Sequence, residues 1–363
     1  MRPEILFITR NYPPQIGGLE TYSYQLIKHF EEHHSVSKII LGKPKNHLLW
    51  FLPYALLDAV RIIIQGKVRR VHLCDGFLSM VGVVLKSLLS VNVSVTIHGL
   101  DITYRNVFYQ GVIPQCAAWL DRIICVSRYT QTECVRRGIP NTKCVVIPNG
   151  VNSAEFEIAA SRDDCRRYFE KQVGASLQGK TILLTIGRLM PRKGVAWFVK
   201  EVMPRLDGSY LYLVVGDGPE FKLISSVVRQ FRLENRVFLM GRVSGDTRNM
   251  LLYASDVFIM PNVQIEGDIE GFGIAALEAG CCGLPVIASN VQGLRDAVID
   301  KRTGFLIEPG DVNGFVQKIV NMNLERNRVR SLVVETFEWQ KVFQCYREVL
   351  LPISGFCREK VTC

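Results

Sequence analysis

The run EGFGIAALE at residues 270–278 places two carboxylates around the predicted start of a helix. The residues from Gly273 onward favour a helix, whose first turn presents unpaired backbone N–H groups and the positive end of the helix dipole. Glu270 and Glu278 are separated by a little over two helical turns, so we expect both carboxylates on one helix face. Such a face suits a phosphate flanked by hydroxyl-rich sugars, and a capped surface helix is the structural alternative.

Short β-branched segments alternate with helical stretches before and after this run, which is typical of parallel βαβ units. The alternation predicts an α/β protein with two Rossmann-like, doubly wound lobes facing across a deep cleft, where ligands bind at the carboxyl ends of the strands. The predicted strands of the first lobe are Glu4–Arg10, Lys38–Gly42, Arg69–Cys74, Val93–Gly99, Arg122–Ser127 and Cys144–Pro148. Those of the second lobe are Thr181–Arg188, Leu211–Gly216, Arg236–Gly241, Asp256–Pro261, Pro285–Ser289 and Gly304–Glu308.

The chain length of 363 residues exceeds one ordinary hydrophobic core and favours two domains. A charged, irregular stretch from Asn152 to Lys180 separates the two series of strands. We therefore expect an N-terminal lobe over residues 1–165 and a C-terminal lobe over residues 166–335. Residues 336–363 are predicted to contain a helix that crosses back to the N-terminal lobe.

The composition is that of a globular protein, with 48% hydrophobic and 21% charged residues. The net charge of +10 is concentrated between Val36 and Gly150, where there are 14 Lys or Arg residues and 5 Asp or Glu residues. The basic residues are interleaved with apolar ones and form no recognisable binding module, so the sequence does not indicate a nucleic-acid partner. No signal peptide precedes the first predicted strand, which predicts a cytoplasmic protein.

Within this basic region, residues 48–64 are strongly apolar but contain Pro53, Asp58 and Arg61. These three residues argue against a membrane span. A helix packed on the core explains the segment. The alternative is an amphipathic patch that rests on an anionic membrane surface, which would make the protein peripheral at the inner face of the membrane.

The eleven cysteines include no CxxC pair, and together with the absent secretory signal they indicate reduced thiols. All six histidines lie before residue 99, and none is paired at a spacing typical of metal ligands. We therefore expect no metal site.

Three loops of the first lobe follow predicted strands and carry candidate site residues. The pair Gly17 and Gly18 precedes a helix, where a ligand could approach the backbone and an anion would be favoured, although a tight turn explains the pair equally well. His98 ends a central strand, and we expect Asp101 to orient its imidazole; a hydrogen-bonded structural histidine is the alternative. Ser127 is predicted to cap a helix, and it could also point into the cleft.

The second lobe opens with a strand that ends at Gly187, and two cations, Arg188 and Lys193, follow it. Arginine can grip a phosphate with two hydrogen bonds and lysine adds a point charge, so the two would neutralise a diphosphate without a metal. The strand ends at Gly216 and at Arg242–Val243 are small enough to admit a flat base and its ribose, or they are ordinary turns.

Taken together, these segments resemble the retaining glycosyltransferases of family 4, which have the GT-B fold. The resemblance extends over nearly the whole chain, with the motifs in order. They are Gly17-Gly18, His98-Gly99-x-Asp101, Pro148-Asn149-Gly150-Val151, Gly187-Arg188-x4-Lys193-Gly194, Gly216-x-Gly218-Pro219, Glu270-x7-Glu278, Gly304-Phe305, and Phe337-x-Trp339 followed by Tyr346.

The resemblance implies transfer of a sugar from a UDP- or GDP-linked donor to a hydroxyl of a glycan or glycolipid acceptor, with no metal or other cofactor. The N-terminal lobe would bind the acceptor and the C-terminal lobe the nucleotide-sugar. By the same resemblance, Arg188 and Lys193 hold the diphosphate beside Gly187 and Gly216, and the Gly17-Gly18 turn approaches it. Glu278 binds the ribose and Arg242–Val243 the base.

The resemblance further implies that Glu270 and the backbone of Phe272, Gly273 and Ile274 hold the transferred sugar, and that His98 lies near the reacting carbon. Glu270, His98, Arg188 and Lys193 then form the catalytic set, with Asp101 and Ser127 as acceptor-side or auxiliary residues. We expect a front-face substitution in which the leaving phosphate takes the proton of the acceptor. The alternatives are a sugar-nucleotide epimerase of the same fold and a non-catalytic nucleotide-sugar-binding subunit. The loop 262–269 is longer than in many family members, and we expect its extra residues to shape the sugar or acceptor pocket.

Overall fold

The computed structural model describes residues 4–41, 48–66 and 68–352. The chain forms two compact units. The first unit comprises Met1–Gly150, Gly267–Phe272 and Trp339–Cys363, and the second comprises Val151–Glu266 and Gly273–Glu338.

The first unit is built on a six-stranded parallel sheet in the order β2-β1-β3-β4-β5-β6. Its strands are β1 Ile5–Thr9, β2 Val36–Ile40, β3 Arg70–Leu73, β4 Asn92–Ile97, β5 Arg122–Cys125 and β6 Cys144–Val146. The central strands are apolar and buried because helices cover both faces of a parallel sheet. The connecting helices are α1 Gly18–His33, α2 Leu48–Gly66, α3 Ser79–Leu88, α4 Leu100–Thr103, α5 Val107–Trp119 and α6 Arg128–Arg136.

The second unit repeats this plan with a six-stranded parallel sheet in the order β12-β11-β10-β7-β8-β9. Its strands are β7 Thr181–Ile186, β8 Tyr210–Val215, β9 Val237–Gly241, β10 Val257–Met260, β11 Val286–Ser289 and β12 Gly304–Ile307. Its helices are α7 Arg162–Val173, α8 Val195–Glu201, α9 Phe221–Gln230, α10 Gly245–Ala254, α11 Ile274–Cys281, α12 Leu294–Ala297, α13 Val312–Val320 and α14 Arg326–Phe337. Each predicted strand of both lobes overlaps an observed one.

The N-terminal segment of the first unit ends at Gly150, upstream of residue 165, where the sequence places the boundary. The intervening residues pack on the second unit. Asn249 Nδ2 donates a hydrogen bond of 2.7 Å to the backbone oxygen of Glu155, and Arg166 Nη2 on α7 lies 2.6 Å from the carboxylate of Asp256. These contacts explain why the charged stretch belongs to the second unit rather than being shared as a linker.

The helix α15, Trp339–Leu350, belongs to the first unit. Its buried face includes Trp339, Phe343 and Tyr346, which pack with Tyr22 and Phe30 of α1. A Cβ at Gly150 would lie only 2.7 Å from the Trp339 ring, so glycine is needed for this contact. The tail 353–363 of the predicted C-terminal segment lies outside the described residues.

The cysteines depart from the predicted reduced state at one position. Within the described residues, eight cysteines have free thiols, whereas Cys345 on α15 is disulfide-bonded. The expectation of reduced thiols throughout the chain is therefore wrong at Cys345.

Candidate active site

The loop after β7 carries the two predicted phosphate-binding cations and is fixed by backbone packing. Gly194 has a left-handed backbone with φ of 66°, and a Cβ there would lie 1.9 Å from the Pro261 carbonyl oxygen. Val263 N also donates a hydrogen bond of 2.9 Å to the backbone oxygen of Arg192. Arg188 and Lys193 therefore lie on a loop that is held against the end of β10, the strand that leads toward α11.

Two further glycines in the second unit have a structural role that the sequence did not reveal. Gly216 has φ of 131°, and a Cβ there would lie 1.9 Å from the Gly187 carbonyl oxygen. A Cβ at Gly218 would lie 2.4 Å from the carbonyl oxygen of Leu189. Close packing of the loops after β7 and β8 thus requires both glycines, whether or not a ligand is bound.

The predicted base-binding segment lies at the neighbouring strand end. Arg242 follows β9 and is exposed, and its Nε atom lies 3.4 Å from Asp217 Oδ2, which follows β8. Val243 is half-buried beside it. Because β7, β8 and β9 are neighbouring parallel strands, Arg188, Asp217 and Arg242 all follow the carboxyl ends of strands on the same side of the sheet.

The run at residues 270–278 does not place both carboxylates on one helix face. The helix α11 begins at Ile274, and Gly273 precedes it with φ of 105°, a conformation that breaks the helix. Glu278 lies on α11 in the second unit, whereas Glu270 lies before the helix in a segment that belongs to the first unit. The prediction of a shared helix face is therefore wrong, because the left-handed glycine redirects the chain between them.

Glu278 lies in a partly desolvated position, with 22% of its side chain exposed. Burial raises the pKa of Glu278, the positive charge of Arg248 lowers it in part, and the charge of Glu155 raises it further. Arg248 Nη1 is 3.7 Å from Glu278 Oε1, and its guanidinium lies 4.5 Å from the centre of the Phe156 ring. Arg248 was missed from the sequence because nothing distinguishes it from other surface arginines of helices.

Replacing Glu278 with glutamine is expected to stabilise the free protein and to weaken nucleotide binding. Because the folded pKa is raised, the contribution of Glu278 to stability is full below its unfolded pKa and is lost as the pH rises through the folded pKa. Near pH 7.5 Glu278→Gln should therefore raise the Tm, and near pH 4 the difference should vanish. If the carboxylate binds ribose hydroxyls, nucleotide affinity should fall about tenfold or more.

Thermal unfolding at the two pH values and nucleotide titration measure both effects. The exposed Glu335 on α14 offers a matched control, since Glu335→Gln should change neither quantity. A lower Tm for Glu278→Gln near pH 7.5, with nucleotide affinity unchanged, would contradict both assignments.

In the first unit, Asp101 holds the backbone around His98 rather than its ring. Asp101 Oδ1 accepts a hydrogen bond of 2.8 Å from the His98 backbone N–H, and Oδ2 accepts one of 2.9 Å from that of Gly76. The imidazole Nε2 instead lies 2.9 Å from the backbone oxygen of Cys74. The expectation that Asp101 orients the imidazole is therefore wrong. Each of its carboxylate oxygens accepts a hydrogen bond from a backbone N–H group, and the imidazole is bonded to Cys74 instead.

The segment Gly267–Phe272 packs backbone to backbone on the turn that follows β4. A Cβ at Gly271 would lie 1.7 Å from the His98 carbonyl oxygen, and one at Gly99 would lie 2.9 Å from the Gly271 Cα atom. Gly99 has φ of 107°, and Ile269 is buried against it. Within the first unit, this contact brings the residue next to Glu270 in the chain against the backbone of His98.

The strand ends beside His98 carry an ion pair that the sequence did not single out. Arg10 Nε lies 3.0 Å from Asp75 Oδ1, and the guanidinium lies 4.8 Å from the centre of the Phe77 ring. The Asp75 side chain is almost completely buried. The sequence does indicate that Arg10 directly follows β1. Ligands bind at the carboxyl ends of the strands in parallel sheets, so this position makes Arg10 a candidate site residue.

The glycine pair and Ser127 serve helix starts. Gly18 begins α1, and a Cβ at Gly17 would lie 2.4 Å from Glu20 Oε2, so a carboxylate already lies near this helix N-terminus. Ser127 Oγ accepts a hydrogen bond of 3.1 Å from the Thr130 backbone N–H and is buried. The predicted capping role of Ser127 is confirmed.

Within the part of the chain that the structure describes, no group of three or more His, Cys, Asp or Glu side chains is arranged to hold a metal ion.

Comparisons with known proteins agree with this description. Residues 16–155 match the model of Glycosyltransferase Family 4, and residues 180–323 match that of Glycosyl transferases group 1. A UDP-Gal:alpha-D-GlcNAc-diphosphoundecaprenol alpha-1,3-galactosyltransferase of Escherichia coli is 27% identical, over 78% of this chain and 75% of that one. A GDP-mannose-dependent alpha-(1-6)-phosphatidylinositol monomannoside mannosyltransferase of Mycobacterium tuberculosis is 26% identical, over 72% of this chain and 68% of that one.

Among solved structures, HepE of Anabaena in complex with UDP and glucose has a TM-score of 0.75 at 19% identity, with 97% of this chain and 100% of that one covered. This similarity confirms the predicted fold class, two Rossmann-like α/β units of the GT-B type. The two family models match segments of both units and include His98, Arg188 and Glu278. The chain belongs to the family 4, group 1 glycosyltransferases.

Proposed function

We propose that the chain transfers a sugar from a UDP- or GDP-linked donor to an acceptor hydroxyl with retention of the anomeric configuration. The observation that carries this proposal is the backbone contact of Gly194 with Pro261. It holds the loop of Arg188 and Lys193 against the end of β10, from which the chain continues to α11 and Glu278. The named relatives support both nucleotides, since one uses UDP-Gal and another GDP-mannose.

In this proposal the second unit binds the nucleotide. Arg188 and Lys193 neutralise the diphosphate, which replaces the need for a metal ion. Glu278 accepts hydrogen bonds from the ribose hydroxyls, and the segment Arg242–Val243 contacts the base. The uncapped backbone N–H groups at the start of α11, after Gly273, add positive potential for the phosphate and the sugar.

The proposed reaction is a front-face substitution. The acceptor oxygen forms a bond to the anomeric carbon while the bond from that carbon to the phosphate oxygen breaks, and the leaving phosphate takes the acceptor proton. Positive groups at the phosphate stabilise the charge that develops there. Glu270, His98 and the backbone from Phe272 to Ile274 hold the transferred sugar. An epimerase or a silent binding subunit is not favoured, since the relatives are named as transferases.

A thermal-shift panel of nucleotides and nucleotide-sugars tests the donor site. The cognate ligand at a hundred times its Kd should stabilise the fold by about 2.7 kcal/mol. If the site recognises uridine, UDP and UDP-sugars should both raise the Tm. If it recognises guanosine, GDP and GDP-sugars should do so. Absence of any shift with both sets would contradict the proposal.

We also propose that the acceptor is lipid-linked and that the first unit rests on an anionic membrane. Trp50 and Leu57 on α2 and Phe108 on α5 are 80%, 71% and 85% exposed. The helix α3 packs against both α2 and α5 and exposes Leu88. We call the exposed apolar side chains of these helices the apolar face; it comprises Trp50, Tyr54, Leu57, Ile64, Val84, Leu88, Val107, Phe108, Val112 and Trp119.

Charge complementarity favours an anionic bilayer as the partner of this face. Arg61 is exposed on α2, one turn from Leu57 and from Ile64, and the surrounding region from Val36 to Gly150 carries a large excess of basic residues. Apolar side chains flanked by cations are typical of helices that lie in the headgroup region. None of the helices within the described residues is long and apolar enough to span a membrane. The proposed location is the cytoplasmic face of the membrane.

Flotation with liposomes tests the membrane proposal. The protein should float with anionic vesicles at low salt and lose binding as the salt concentration rises, because screening weakens the basic contribution. Trp50→Glu combined with Leu57→Glu should reduce binding by roughly tenfold or more. Leu223→Glu, at an exposed position on α9 of the second unit, is the control and should bind as the wild type does. If the wild type fails to float with anionic vesicles at low salt, the membrane proposal is wrong.

A further inference from the structure

The ring of His98 is held from two sides within the first unit. Its Nε2 atom lies 2.9 Å from the backbone oxygen of Cys74, and its edge-to-face contact with Tyr22 has a centroid distance of 4.5 Å and an interplanar angle of 75°. A carbonyl oxygen only accepts hydrogen bonds, so Nε2 of His98 carries a proton. The Tyr22 ring limits the rotation of the imidazole around its hydrogen bond to Cys74.

Tyr22 is itself locked by hydroxyl groups from two other elements. It is fully buried on α1, and its hydroxyl oxygen lies 2.8 Å from Thr96 Oγ1 on β4 and 3.0 Å from the Tyr346 hydroxyl on α15. Tyr346 is also fully buried, and its hydroxyl lies 3.4 Å from Thr96 Oγ1. Three hydroxyls from α1, β4 and α15 therefore meet at one buried point.

A buried histidine completes this network and fixes its charge. His72 Nε2 lies 3.2 Å from Thr96 Oγ1, and Nδ1 lies 2.9 Å from Ser94 Oγ. Burial and, to a smaller extent, the neighbouring His98 lower the pKa of His72 to about 3, so His72 is neutral near physiological pH. The network is thus uncharged, and every member has a partner, which favours a single arrangement.

We propose that Tyr22 is a positioning residue for His98, and that the Tyr346 hydroxyl on the C-terminal helix holds Tyr22 in place. Thr96 lies on β4 and His98 directly follows the strand, and Tyr22 of α1 contacts both side chains. The Tyr22 ring thus contacts the imidazole edge to face while its hydroxyl is held by Thr96 and Tyr346. The inference rests on the proposed function, since it assumes that His98 contacts the sugar. It implies that Tyr346, on the C-terminal helix α15, affects the rate of transfer.

A double-mutant cycle tests the proposal. Tyr22→Phe and Tyr346→Phe each remove one hydroxyl and keep the ring, and each should lower kcat roughly tenfold with little change in the donor KM. In a His98→Ala background, neither change should lower kcat further. Tyr212→Phe is the matched control, since Tyr212 is a fully buried tyrosine of the second unit whose hydroxyl lies 2.7 Å from Thr185 Oγ1. It should leave kcat unchanged in both backgrounds.

Imidazole NMR signals of the free protein provide a readout that is independent of turnover. The His98 signal, assigned by its loss in His98→Ala, should move in Tyr22→Phe and Tyr346→Phe and stay in place in Tyr212→Phe. Equal losses of kcat with and without His98, or an unmoved His98 signal, would overturn the positioning role. If His98→Ala itself leaves kcat unchanged, the proposed contact of His98 with the sugar fails, and the NMR comparison alone then decides whether Tyr22 orients the ring.

Discussion

Replacing Gly271 with alanine is expected to lower the rate of sugar transfer by roughly a hundredfold while nucleotide binding by the second unit persists. The new Cβ would lie 1.7 Å from the His98 carbonyl oxygen, far inside van der Waals contact, and backbone lies on both sides. The segment of Glu270 must therefore move away from the turn of His98 and Gly99. A displacement of about 1 Å can cost roughly a hundredfold in rate. Arg188, Lys193 and Glu278 belong to the other unit and are left in place.

Initial rates at saturating donor and the thermal shift with nucleotide measure these two effects separately. Gly208→Ala is a matched control, because a Cβ there meets nothing within 4 Å and the backbone is not left-handed. It should behave as the wild type does. A near-normal kcat for Gly271→Ala would show that the packing of this segment on His98 does not matter for transfer.

We expect a second large loss of activity when either cation of the loop after β7 is removed. Arg188→Ala and Lys193→Ala should each lower kcat by roughly a hundredfold to a thousandfold, because each withdraws positive charge from the leaving diphosphate. Arg188→Lys should recover only part of the loss, since a lysine keeps the charge but not the paired hydrogen bonds of a guanidinium. Nucleoside diphosphate binding should weaken in all three variants.

The control for this series is Lys222→Ala, which removes an exposed cation from α9 of the same unit. It separates loss of a specific contact from loss of general positive charge. If Lys193→Ala and Lys222→Ala gave equal rates and equal nucleotide affinities, Lys193 would have no role in binding the diphosphate.

The sheets were predictable because parallel strands that are buried on both faces need continuous apolar, β-branched runs. The β1 run Ile5–Thr9 and the β7 run Thr181–Ile186 both show this pattern and both lie in the interior. The start of α11 near Gly273 was predictable for a similarly local reason, since a glycine before an apolar helical run marks a helix boundary.

The contacts that assemble the candidate site were not predictable from local patterns. Gly99 and Gly271 lie far apart in the chain, and each is an ordinary turn glycine until the two backbones touch. The position of Asp101, three residues after His98, is typical of a carboxylate that orients a histidine ring. Its two oxygens instead accept hydrogen bonds from the backbone N–H groups of His98 and Gly76. The shared face that we predict for Glu270 and Glu278 is not observed, because periodicity carries no information about which unit a segment packs against.

The measurement that tests the central claim most directly is transfer itself, with its stereochemistry. The wild-type protein is incubated with the nucleotide-sugar that raises its Tm and with membrane lipid extract as acceptor, and the product is isolated for NMR. We predict a new glycoside with the same anomeric configuration as the donor, formed in equal amount to the released nucleoside diphosphate. A product of inverted configuration, or no glycoside from any UDP- or GDP-sugar, would contradict the account.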